Sequence, residues 1–299
     1  MNLVGEDEQQ GLISHFSDRN LSMLSGGSVA NSIIAMTELG GKGAYLGSVG
    51  DDAYGLHYLS EMESLGINFP NKPHAKKITG TSFILTTPDA ERTMQTCLAV
   101  SGTLSAENIN EEVIADSKWI FIEGYLLSNP EFGQEAVWKA IEFAEKHDTK
   151  IAFTFSDAFL VHGFRDAVDR VVKHSDLIFA NEGEALAYTG GSSITEALDK
   201  LAEVVPSIAL TAGDKGACGV WNQTKFKVDS FPCEPKDLTG AGDMFAGAFL
   251  RGVLEGRTGE ESARMACYMA REVIIRVGAR LQTGINDYWQ SAAKLNLAN

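Results

Sequence analysis

Short apolar runs, each bounded by turn residues and separated by longer stretches with helical spacing, constrain this 299-residue chain more than any other feature. The runs are Ala44 to Val49, Trp119 to Ile122, Ile151 to Phe155, Leu177 to Phe179 and Ile208 to Thr211. Runs this brief and this continuously apolar suit strands buried on both faces of a parallel sheet. Between them, apolar residues recur at helical spacing: Phe132, Val137, Ala140, Ile141 and Ala144 in one stretch, Val161, Phe164, Val168, Val171 and Val172 in another. Alternating strands and helices predict βαβ units, hence an α/β fold with a mainly parallel central sheet and helices on both faces. The last helices are expected over Ala241 to Leu254 and Glu260 to Val277.

One stretch breaks this rhythm. Lys76 to Val100 is rich in Thr, Ile and Phe, and Pro88-Asp89 punctuates it between Thr81-Ser82-Phe83-Ile84-Leu85-Thr86 and Thr93-Met94-Gln95-Thr96-Cys97-Leu98. That pattern predicts a β-hairpin inserted into the α/β body. A lone hairpin is marginal in water, so it is expected to join other strands in a small β-sheet lid over the C-terminal edge of the main sheet.

Charge narrows the partners. Twenty-five Lys and Arg stand against 40 Asp and Glu, a net charge of −15, the wrong sign for gripping a nucleic-acid backbone. A nucleotide is not excluded, because backbone N–H groups and a metal ion can hold phosphate locally. The four cysteines, at 97, 218, 233 and 267, form no Cys-x-x-Cys pair and read as buried free thiols. No apolar run approaches the ~20 residues of a membrane span, and Met1 to Asn20 is too acidic for a signal sequence, so a cytoplasmic setting without membrane contact is expected.

Four glycine-associated segments carry the chemistry. In Asp237-Leu238-Thr239-Gly240-Ala241-Gly242-Asp243 a small-residue turn opens an apolar helix. First-turn N–H groups have no intrahelical partner and can hold developing negative charge, while Asp243 stands beside them as a proton acceptor. An ordinary helix N-terminus with an acidic first turn explains the same letters. Thr211-Ala212-Gly213-Asp214-Lys215-Gly216 follows a predicted strand, the position where doubly wound folds bind ligands, although a plain strand-to-strand turn fits as well. Asn181-Glu182-Gly183-Glu184 also follows a strand; Glu184 is placed to orient magnesium-bound water, or the segment is simply a capped helix. Ser25-Gly26-Gly27-Ser28-Val29-Ala30-Asn31 leads into an apolar helix, its glycines permitting close approach of a polyhydroxyl ligand and Asn31 offering donor and acceptor to it.

In this order and at these separations the four segments, together with Gly47-Ser48-Val49-Gly50-Asp51-Asp52 and Gly278-Ala279-Arg280, resemble the PfkB-type carbohydrate kinases, or ribokinase family. Ile78-Thr79-Gly80-Thr81-Ser82, Glu91-Arg92-Thr93-Met94, Glu123-Gly124-Tyr125 and Ala180-Asn181-Glu182 look most like its adenosine-kinase-like branch. The resemblance implies a ribokinase-like fold and transfer of a phosphoryl group from ATP, with Mg2+, to a hydroxyl of a nucleoside or sugar, most of all an adenosine-like 5′-hydroxyl. By the same resemblance Asp243 is the catalytic base and Gly240, Ala241 and Gly242 form the anion hole. Asn181 and Glu184 are the magnesium-linked pair, and Thr211, Gly213 and Gly216 are ATP contacts. Gly26, Gly27 and Asn31 would hold the ribose, Arg92 on the hairpin would reach phosphate or substrate, and Cys267 would border adenine. A monomer or a homodimer is expected.

Two departures bear on these expectations. Relatives begin with a core strand ending in an Asp that binds substrate hydroxyls, whereas only 25 residues precede Gly26, and Leu3-Val4-Gly5-Glu6-Asp7 looks like the lid-side segment instead. The resemblance therefore implies that the first core strand is missing from a truncated chain, divided into a partial lid and N-terminal segment over 1–25 and 68–100 and an α/β body over 26–67 and 101–299. Leu238 stands where many relatives have Thr. A non-catalytic nucleoside- or nucleotide-binding protein is the alternative this favours. A serine hydrolase, suggested by Gly26-Gly27-Ser28-Val29-Ala30, is disfavoured because all six histidines fall before position 175, where that order of residues needs one late in the chain. No Walker P-loop occurs.

Overall fold

The computed structural model describes residues 2–19, 21–86 and 92–295. The predicted βαβ units are present: β4 (Trp119–Glu123), β5 (Lys150–Thr154), β6 (Leu177–Asn181) and β7 (Ser207–Thr211) run parallel, and β8 (Ala217–Trp221) and β9 (Thr224–Val228) extend the sheet antiparallel in the order β4-β5-β6-β7-β8-β9.

Strand period two explains the layering. Along β6, Leu177 and Phe179 enter one core, with Ala152, Ala209 and Phe226 from neighbouring strands. That core is closed by α10 (Ala241–Leu254), α11 (Gly259–Ile274) and α12 (Ile285–Leu295), and Ala35 and Leu39 reach it from the end of α2 (Ser28–Glu38). Ile178 and Ala180 point the other way, into a core with Phe153, Ile208 and Leu210 under α5 (Gly133–Lys146), α7 (Arg165–His174) and α9 (Ile194–Ala202). Both faces are covered, which is why these strands read as continuous apolar runs.

The stretch that broke the rhythm forms its own sheet. β2 (Thr81–Thr86) and β3 (Arg92–Cys97) pair antiparallel, and β1 (Asn2–Leu3) pairs parallel with β3. The Pro88-Asp89 turn lies outside the described residues. Gln9 of α1 (Glu6–His15) fastens the small sheet by donating to the carbonyls of Thr81 and Gln95 at 3.0 and 2.8 Å. Leu3 thus lies beside the hairpin, in the small sheet.

Two expectations need correction. Ala44 to Val49 is not a strand: Ala44 makes an isolated bridge with Asn68, and Gly50, just beyond the segment, another with His74, so the backbone pairing does not extend into a ladder. The helix expected through Val161 and Val172 is two helices, α6 (Ala158–Gly163) and α7. They are separated at Phe164, whose φ of −132° and ψ of 38° leave the helical region just after Gly163, a poor helix former. The expected Ala241 to Leu254 helix has those limits, and the next one ends at Ile274, three residues short of Val277. Among the described residues no helix is long and apolar enough to cross a membrane.

Candidate active site

The parallel strands end side by side, and register sets what meets there. Glu123 pairs with Thr154 across β4 and β5, and Asn181 with Thr211 across β6 and β7, so polar residues converge at the C-terminal ends of the strands, where open α/β sheets bind ligands. A cavity of about 210 Å³ opens there, lined among others by Thr154, Ser156, Asn181, Glu184, Thr211 and Asp243.

Asp243 comes from the first turn of α10. Its N-cap, Gly240, has φ of 75°, and a Cβ built there would lie 2.0 Å from the carbonyl oxygen of Ala279, so both the left-handed turn and the backbone contact require glycine. Asp237 braces the turn by accepting from the N–H groups of Thr239 and Gly278, each at 2.9 Å. Within the expected anion hole, the Ala241 N–H is turned back 3.4 Å toward the Leu238 carbonyl, and Gly242 lines the cavity.

The Gly26-Gly27 segment reaches Asp243 through α2. Gly27, with φ of 120°, is the N-cap, and the next residue, Ser28, donates its hydroxyl to Asp243 Oδ1 at 2.8 Å. Asn31, one turn on, donates its amide to Asp243 Oδ2 at 2.9 Å, while its own Oδ1 is buried with no hydrogen-bond partner among the described residues. Burial pushes the Asp243 carboxyl above its ordinary pKa, and the hydrogen bonds from Asn31 and Ser28 oppose that rise. Glu123 is pushed up to about 7, first by burial and then by the charge of Asp243, against the N–H groups of Val29 and Ser28 that its carboxylate accepts.

Asn181 and Glu184 form a capping box at the start of α8 (Glu182–Thr189): Asn181 Oδ1 accepts the Glu184 N–H at 2.9 Å, and Glu184 accepts the Asn181 N–H and side-chain amide at 3.1 and 2.7 Å. The capped-helix reading is therefore correct as local structure, and Glu184 is still 7% exposed and on the cavity wall. Burial raises its carboxyl to about 7. A cation near it would remove that penalty, and one carboxylate suits magnesium, which keeps several of its waters. Among the described residues no group of three or more His, Cys, Asp or Glu is placed to hold a metal ion.

The remaining expected residues stand further out. Gly213 and Gly216 close the turn after β7, with the Ala212 N–H donating to the Gly216 carbonyl at 2.8 Å. Cys267 lies within α11 against the core and off the cavity wall, its thiol pushed up to about 12 by burial. Arg92 opens β3, and its side chain lies outside the described residues. The sequence reading missed Ser28 as a partner of Asp243, along with Glu123, Thr154 and Ser156. Ser28 was in view inside the glycine segment and Glu123 inside Glu123-Gly124-Tyr125; Thr154 and Ser156 carry no local signal.

Residues 3–284 match the pfkB family carbohydrate kinases. This chain belongs to that family. Family membership makes it a phosphotransferase with a hydroxyl acceptor and a small-molecule substrate, a carbohydrate or nucleoside kinase on a ribokinase-like fold. The adenosine kinase of Sinorhizobium meliloti superposes with a TM-score of 0.89 at 32% identity, over 98% of this chain and 90% of that one. Adenosine kinase 2 of Arabidopsis thaliana is 24% identical over 92% of this chain and 86% of its own length. A ribokinase II structure from E. coli, in complex with ATP and Mg2+, has a TM-score of 0.81 at 24% identity, over 91% of this chain and 92% of that one. Family use of ATP and Mg2+ accords with a cavity lined by two carboxylates, Asp243 in the first turn of α10 and Glu184 in the first turn of α8.

Proposed function

We propose that the chain transfers the γ-phosphoryl group of ATP to the 5′-hydroxyl of an adenosine-like nucleoside, with Asp243 as the base. The observation that carries this reading is the placement of Asp243. It sits in the first turn of a helix, both oxygens are held by α2, and burial raises its carboxyl above its ordinary pKa. The adenosine kinases among its relatives favour a nucleoside over a free sugar.

In this reading the acceptor hydroxyl approaches Asp243 from the cavity that Asp243 lines. Asn31, assigned to the ribose, would have to turn its Oδ1, which is buried here, toward a neighbouring substrate hydroxyl to orient the sugar. Asp243 takes the proton as the oxygen attacks, and the N–H groups of Gly240 and Gly242 at the start of α10 would meet the negative charge that develops on the migrating group, while the Ala241 N–H donates back to Leu238. Thr211, Gly213 and Gly216 border the nucleotide, and Gly26 and Gly27 let the sugar approach the backbone. Arg92 is assigned to the closing side, on the small sheet, which acts as a lid that excludes water. Magnesium would be held through water by Glu184 beside Asn181, and when bound supplies positive charge against the β- and γ-phosphate oxygens.

Asp243→Asn tests the base. Turnover falls by about two orders of magnitude or more while ATP binding, followed by calorimetry, persists; near-normal turnover refutes the assignment. A panel of adenosine, inosine, guanosine, ribose and fructose, read by ADP release, tests the acceptor, and a preference for a free hexose overturns the nucleoside reading.

A further inference from the structure

Gly278, Ala279 and Arg280 lie against the helix that carries Asp243, since the Ala279 carbonyl touches Gly240. From there Arg280 reaches 219 residues back in sequence, its Nη2 2.8 Å from Oε1 of Glu61 on α3 (Ala53–Ser64). The pair is sheltered, with side chains 11% and 25% exposed. The other oxygen of Glu61 accepts the backbone N–H of Ser25 at 3.0 Å. Tyr58, one turn earlier on the same face of α3, donates to the Gly26 carbonyl at 3.3 Å. Two consecutive residues, Ser25 and Gly26, are thus held by α3 just ahead of Gly27, the N-cap of α2.

The contacts close a circuit. The start of α10 touches Ala279; Arg280 holds Glu61; Glu61 holds Ser25; Ser25 leads into α2; and α2 returns through Ser28 and Asn31 to Asp243 on α10. Neither Arg280 nor Glu61 is among the residues that line the cavity. Burial pushes the Glu61 carboxyl up, but the hydrogen bonds from Ser25 and Arg280 outweigh it and hold the group below the usual carboxylate range. Glu38 also faces Arg280, and His57 Nε2 lies 3.6 Å from Glu61, so the guanidinium sits among acidic groups with Glu61 as its hydrogen-bonded partner.

We propose that the Arg280–Glu61 ion pair is a positioning clamp that fixes the Ser25–Gly27 loop against the first turn of α10, and with it the point where the acceptor hydroxyl meets Asp243. The proposal rests on the phosphotransfer reading and adds two residues that act through others. A misplacement of about 1 Å between reacting groups is worth roughly a hundredfold in rate, so a clamp outside the cavity can matter to turnover.

The test compares wild type with Arg280→Gln, Glu61→Gln, the double variant and Arg280→Lys, measuring kcat and KM for both substrates and hydrogen exchange at the amides of Ser25 to Ser28. Each Gln variant is expected to lower kcat by about tenfold or more with KM for ATP within about threefold, and to accelerate exchange at Ser25. The double variant is expected to be no worse than the poorer single one, because both break one contact. Arg280→Lys, which keeps the charge, returns kcat to within about threefold of wild type. Losses that multiply in the double variant, unchanged kcat in a folded Gln variant, or wild-type exchange at Ser25 in Arg280→Gln each overturn the clamp. If Arg280→Gln does not fold, Glu61→Asp withdraws the carboxylate by one methylene; a tenfold loss of kcat supports the clamp and wild-type kinetics overturns it. If the wild type phosphorylates no acceptor, the phosphotransfer reading fails, and the exchange data still decide whether the ion pair fixes the loop.

Discussion

Glu123 offers a way to measure the electrostatics of the site without any substrate. Its carboxyl is raised from 4.5 to about 7, chiefly by burial and next by the charge of Asp243. The folded protein therefore keeps a proton at this position up to about pH 7, whereas the unfolded chain releases it near 4.5. Between those values the folded state binds more protons, so stability falls as pH rises across the window. At about 1.4 kcal/mol per pH unit, the loss from this group between pH 5 and pH 8 is at most about 2.5 kcal/mol. Glu123 is partly accessible at the end of β4, and solvent screening reduces the expected loss to about 1 to 2 kcal/mol. Glu123→Gln cannot ionise, yet its amide oxygen still accepts the N–H groups of Ser28 and Val29. Urea unfolding followed by tryptophan fluorescence at the two pH values gives the comparison; groups not coupled to Glu123, Glu184 included, contribute equally to both proteins. The wild type should lose about 1 to 2 kcal/mol more than the variant on going from pH 5 to pH 8. Asp243→Asn, which removes the second cause, should shrink that difference. An identical pH response in wild type and Glu123→Gln would sink the assignment of a desolvated carboxyl at the end of β4.

Other expectations are more local. Gly240→Ala costs more than the about 1 to 2 kcal/mol of a left-handed alanine, since its Cβ meets the Ala279 carbonyl; a variant as stable as wild type in a urea melt contradicts the close approach. Ser28→Ala removes one of the two hydrogen bonds that lower the Asp243 pKa, so the acid limb of the kcat/KM pH profile moves to higher pH, and a limb that stays in place or moves down counts against Ser28 as its partner. Phe249→Ala deletes a fully buried ring in contact with Phe179, Trp221, Phe226 and Phe245, and lowers stability by about 3 to 5 kcal/mol; a loss below about 1 kcal/mol would show that the core collapses to fill the space.

Much of the fold was legible because parallel strands buried on both faces must be apolar throughout. Leu177 to Phe179 and Ile208 to Thr211 could hardly be anything else between helical segments, and both became central strands. Ala44 to Val49 carries the same composition and makes only an isolated bridge, because pairing depends on what lies alongside, which is not a local property. The break at Phe164 is similar: apolar spacing continues through it, and the backbone turns so that α7 can pack on the sheet.

The candidate site divides along the same line. Glycines and the acidic first turn near Asp243 are visible in the sequence because backbone conformation and helix N-terminal chemistry act over a few residues. Sequence by itself determined the α/β layering, the glycine turns and the carboxylates at positions 184 and 243. Only the tertiary structure decided that Ser28 and Asn31 occupy the two oxygens of Asp243, that Glu123 and Thr154 end at one level, and that Arg280 reaches Glu61. Those contacts join segments up to 219 residues apart, and their geometry is fixed by sheet register and helix packing rather than by any short stretch of chain.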